Sequence, residues 1–151
     1  MAGNTDPIYS KVGDIQSAGA VIGPTANTAQ DGTSSSTSMY AVHQADATNG
    51  GFVSGLNLQA VGSPALTVLR IYISTITGAL TMGTTNVVTN TFLLKEWTLP
   101  AVTLSQTAAA PNHFVPLNIM LPPGYRILVS FGTSTGAAGT GYIATAVGGK
   151  Y

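Results

Sequence analysis

Charge is nearly missing from this chain. Asp, Glu, Lys and Arg together make up 7% of its 151 residues, against about 25% in an average soluble protein. Lys11, Arg70, Lys95, Arg126 and Lys150 balance Asp6, Asp14, Asp31, Asp46 and Glu96, so the formal net charge is zero. Five scattered cations cannot build the phosphate-neutralising stripe that nucleic acids require. They cannot build a polybasic membrane patch either. Neither nucleic acid nor membrane is therefore expected as a partner. Cysteine is absent, which excludes disulfides, thiolate catalysis and Cys-based zinc sites. Helical periodicity is sustained nowhere, and no apolar run approaches the roughly 20 residues that span a bilayer. The start, MAGNTDPIYSKVGDIQ, carries neither the basic nor the apolar region of a secretory signal. The product is expected in the cytoplasm of the cell that makes it, reaching the outside by lysis.

In place of charge the chain offers Thr, Ser, Asn, Gln, Ala and Gly. Such residues hydrogen-bond and pack without the cost of desolvating ions. Small domains usually carry a net charge that keeps copies apart, because neutral surfaces associate. The composition thus points to a subunit of an assembly.

From residue 38 onward the sequence is a succession of β segments punctuated by Gly, Pro and Asn. SMYAVHQA (38–45) comes first, followed by a turn at Asn49-Gly50-Gly51. GFVSGLNLQAVG (51–62) puts Leu56, Leu58 and Ala60 on one face. ALTVLRIYIST (65–75) groups Leu69, Ile71 and Ile73 opposite Arg70 and Tyr72. TFLLKEWTLP (91–100) places Trp97 with Leu93 and Leu99. HFVPLNIML (113–121) aligns Val115, Leu117, Ile119 and Leu121. LPPGYRILVSFGT (121–133) alternates Tyr125, Ile127, Val129 and Phe131 with Arg126, Leu128, Ser130 and Gly132, and GYIATAVGG (141–149) closes the series. Short strands with turn signals between them predict an all-β fold, an antiparallel β-sandwich of jelly-roll type with seven or eight strands. Residues 38–151 form that sandwich domain. Residues 1–37 show no sustained period and hold Pro7, Pro24 and the tract DGTSSSTS. They are read as an extended N-terminal arm, with one or two short strands, that docks onto something.

The outward face of 121–133 offers one charge, a leucine, a serine and a glycine. We expect Arg126 and Leu128 on that face to be interface residues, together with Ile8 and Tyr9 of the arm and Tyr151 at the end of the chain. Chemistry is harder to find. His43 and Asp46 are three apart and would point to opposite faces of a strand, so no catalytic pair is indicated. His113 opens a strand and is expected to be solvated. No serine sits in a nucleophile elbow, no spacing pairs carboxylates for glycoside hydrolysis, and no run resembles a calcium loop. The expectation is a protein without catalytic residues, metal or cofactor. Trp97 and exposed tyrosines keep a carbohydrate-binding module open as an alternative.

Five segments carry a resemblance: GNTDPIYSKVGDI (3–15), ATNGGFVSGLNLQAVG (47–62), VLRIYIST (68–75), LPPGYRILVSFGT and the closing VGGKY. Together they make the chain similar to the small β-sandwich virion proteins of tailed bacteriophages, most of all to head-decoration (cement) proteins. The resemblance implies a non-enzymatic protein on the capsid exterior. It would bind the assembled shell over junctions between major capsid proteins, often as a homotrimer. A tail- or fibre-associated virion protein is the related alternative. Many weak identical contacts suit such a role, since avidity multiplies them.

Overall fold

A computed structural model describes residues 11–31, 39–83 and 90–151. Eight strands are present: β1 (Val12–Ser17), β2 (Tyr40–Gln44), β3 (Gly51–Val61), β4 (Thr67–Ser74), β5 (Thr91–Leu99), β6 (Asn112–Leu121), β7 (Arg126–Phe131) and β8 (Gly141–Lys150). They form two four-stranded antiparallel sheets, one in the order β1-β8-β3-β6 and the other β2-β7-β4-β5. The sandwich is therefore a jelly roll.

Alternation builds the core. Val53, Leu56, Leu58 and Ala60 of β3 and Val115 and Leu121 of β6 face Leu69 and Ile71 of β4 and Ile127, Val129 and Phe131 of β7, all nearly or fully buried. Tyr142 of β8 stacks on Phe131 with ring centroids 5.9 Å apart. The inward positions read from the sequence in β3, β4, β6 and β7 are the core positions of the fold. One strand departs from the reading. A bulge against Ile71 and Tyr72 lets Leu93 pair with Tyr72 while Trp97 pairs with Leu69. Leu93 thus turns to the opposite face from Trp97 and Leu99, because one extra residue reverses the alternation beyond it.

The stretch read as an arm is, over its described part, woven into the sandwich. β1 is an edge strand on β8, Ile22 forms a bridge with Tyr142, and Ala18 and Ile22 belong to the core. The N–H of Asn27 donates to the carbonyl of Phe131 at 2.7 Å. Residues 11–31 therefore dock onto their own domain. The other residues of 1–37 lie outside the described residues.

Two long polar side chains tie the sheets together, one on each side of the sandwich. On the β1/β2 side the Gln16 amide accepts from the N–H of Gln44 at 2.9 Å and donates to its carbonyl at 2.8 Å. A side-chain amide thus occupies the ladder position that a neighbouring strand would fill. On the β5/β6 side Lys95 donates to the carbonyl of Pro116 at 2.9 Å and lies over the Trp97 ring, 5.3 Å from its centroid. β6 also resists pairing by sequence, since Pro116 has no N–H and Asn118 takes φ 52°. These are established ways of blunting an edge.

Candidate interaction surface

The described charged side chains are largely engaged within the molecule. Arg70 donates to Glu96 and to the carbonyl of Asn27, both at 2.8 Å. Arg126 donates to the carbonyl of Gly78 at 3.1 Å. Lys150 lies 3.9 Å from Asp14. Asp46 accepts from the N–H groups of Asn49 and Thr48, each at 2.9 Å, and these two bonds hold its carboxyl below the ordinary range. Asp46 is thus the anchor of the turn that leads into Gly50, where φ is 75°.

His43 meets a different carboxylate from the one nearest in sequence. Its Nε2 is 4.0 Å from Asp14 Oδ2, with both residues buried between the edges of β1 and β2. Asp14 also accepts from Gln16 at 2.8 Å. A bulge between Ala41 and His43 turns the imidazole inward behind Val42. Burial pushes its pKa below the ordinary value; Asp14 opposes that shift and Lys150 adds to it. Neither ring nitrogen has a hydrogen-bond partner among the described residues. The cluster locks β1 against β2 and is closed to a substrate. His113, expected in water, pairs across from Leu58 instead and is half-buried, its Nε2 shielded from solvent. No group of three or more His, Asp or Glu close enough to hold a metal occurs among the described residues.

The outward face of β7 requires a correction. Leu128 is 0% exposed and Arg126 5%, so neither is presented to another molecule. Leu128, Tyr72, Ala41 and Met39 make a second apolar cluster on the outer side of this sheet, covered by Leu80 and Met82. The β4–β5 connection is held there by Gln44 and Arg126, which both donate to Gly78, and by Gly83, which donates to Ala41. From the other direction the β1–β2 connection crosses β7, β4 and β5 through Asn27 and Gln30. The apolar outward residues of β2, β7 and β4 are thus covered by the protein's own chain. Tyr151 is half-buried, and Ile8 and Tyr9 lie outside the described residues.

The other sheet has no such cover among the described residues. Its outward positions are Gly13, Ile15 and Ser17 on β1; Ile143, Thr145, Val147 and Gly149 on β8; Phe52, Ser54, Gly55, Asn57 and Gln59 on β3; and Asn112, Phe114, Pro116, Asn118 and Met120 on β6. None is ionisable. Ile15 is 71% exposed, Met120 67% and Phe114 50%. The Phe114 ring lies over Gly55, where a Cβ would collide with it. Glycine in the neighbouring strand thus gives the phenyl ring a fixed seat.

Among the described residues no tyrosine or tryptophan is fully exposed. Tyr40, Tyr72 and Tyr142 are buried, Tyr125 and Tyr151 are half-buried, and half-buried Trp97 packs on the core beneath Lys95. The chain matches no protein-family model, no curated protein and no solved structure. The reading of the surface therefore rests on its own physics.

Proposed function

We propose that the protein is a non-enzymatic structural component of a phage virion that binds the exterior of the assembled capsid and stabilises it, acting as a self-associating subunit. One observation carries the reading: the outward strand positions of a whole sheet hold no ionisable side chain, and among the described residues nothing covers Ile15, Phe114 and Met120, which stand exposed. An uncharged sheet face that exposes large apolar side chains among small polar ones is suited to cover by another protein, since interface cores are depleted in charge. Burying such a face desolvates no ion. Jelly rolls occur in viral capsid and lectin domains alike, so the fold by itself assigns neither role. The aromatic arrangement argues against a sugar platform, because no described tyrosine is exposed.

Electron microscopy of virions made with and without this protein tests the proposal. The expected result is added density on the outside of the head, lost in the deletion, together with earlier capsid rupture on heating. Density on the tail alone would move the protein to the tail or fibre. Its absence from purified virions would overturn the assignment.

A further inference from the structure

We infer that the bare face of the β1-β8-β3-β6 sheet is covered by a second copy of this chain. The inference deepens the reading above by naming the occupant of the face, and it rests on that reading only for the biological setting. Three observations carry it.

The first is charge. A partner with ordinary surface charge would have to leave ions unpaired against a face that offers none, which is costly and selects against it. A second copy brings an equally uncharged face. The formal net charge of the chain is zero, so copies meet without the long-range repulsion that keeps most small domains apart.

The second is size. The four strands contain 6, 10, 11 and 10 residues. At about 3.4 Å per residue and about 4.8 Å between strands, the face spans on the order of 600 Å² before side-chain relief is counted. A stable interface takes roughly 800 Å² from each partner. The face is thus on the scale of one subunit contact.

The third is how the face is built. Addition of a strand at the β6 edge is blocked by Pro116, by the left-handed Asn118 and by Lys95 on the Pro116 carbonyl. Contact through side chains remains. Phe114 is already seated on Gly55, so docking immobilises little that is not fixed beforehand, and preorganisation of this kind raises affinity.

The experiment compares the purified 151-residue chain with Ile15→Lys and Met120→Lys across a concentration series, by size-exclusion chromatography with light scattering. Leu104→Lys is the control, since Leu104 is 51% exposed on the β5–β6 connection, away from this face. The expected outcome is an oligomer for wild type and Leu104→Lys, with self-association weakened at least about tenfold in each face variant. Melting curves close to wild type show that the variants fold. A wild type that stays monomeric, or an oligomer that both face variants leave intact, overturns the inference. Sedimentation of each protein with capsids lacking it separates the two claims. A monomer that binds those capsids refutes the second copy and keeps the virion role, whereas an oligomer that ignores them does the reverse.

Discussion

The two sheets of this sandwich solve the same problem in opposite ways. Each presents apolar residues outward; Arg70, Glu96 and Arg126 stand on the outer side of one sheet, and no outward strand position of the other is ionisable. On β2-β7-β4-β5 the chain turns back over its own sheet and shuts Leu128, Tyr72, Ala41 and Met39 into a second small core. On β1-β8-β3-β6 the described chain leaves Ile15, Phe114 and Met120 in contact with water. Scarcity of charge on a strand therefore does not by itself mean that another molecule covers it. What separates the cases is whether a loop of the same chain reaches the face. The ion pair Arg70–Glu96 also lies on the covered side, where Arg70 fastens the overlying chain through the Asn27 carbonyl.

Substitutions on the two faces should differ sharply. The largest effect belongs to Leu128→Lys, which forces an ammonium into the covered cluster. It should cost about 3–5 kcal/mol in urea unfolding, a large share of the roughly 5–15 kcal/mol that holds a domain together. A loss below about 1 kcal/mol would mean that the loops do not seal that side. Met82→Ala trims the cover without breaching it and should cost about 1–2 kcal/mol by the same measurement.

An acid titration compares the sides of the sandwich rather than its faces. Burial depresses the His43 pKa, so the unfolded ring takes up a proton as pH falls through about 6.5 while the folded ring resists. Stability from this residue is complete above that value. It declines as pH falls towards the lower pKa of the folded ring, at no more than about 1.4 kcal/mol per pH unit. Urea midpoints for wild type should therefore drop between about pH 7 and about pH 5, and His43→Leu should flatten the drop. Equal slopes in the two proteins would show that His43 is not the group responsible. The smallest effect is that of Met120→Lys on stability, expected within about 0.5 kcal/mol because its side chain stands in water.

Much of this architecture is legible in the sequence, and the parts that are not have physical reasons. β3, β4, β6 and β7 announce themselves because each alternates apolar and other residues in register with the pleat. β1 is silent because its inward positions are Asp14 and Gln16, while its apolar Val12 and Ile15 are exposed. A strand whose buried face is polar carries no hydrophobic period. The partnership of His43 with Asp14 is hidden for the same reason, since 28 intervening residues separate them and only the fold brings β1 to β2. Leu128 lies on the side of its strand that the alternation predicts, but its cover comes from Leu80 and Met82, far back along the chain, and no local pattern reports such a return. The bare face, by contrast, can be recovered from the alternation of β3, β6 and β8 once their inward residues are fixed.

The position of β8 determines when its own sheet can close. Residues 141–150 lie between β1 and β3, bonded to both. During synthesis, β1 and β3 have no shared neighbour until β8 has left the ribosome. The opposite sheet, complete once β7 has emerged, can form first and template the other. A cut that removes β8 would leave β1 with no strand partner and β3 paired on one side only, splitting the sheet.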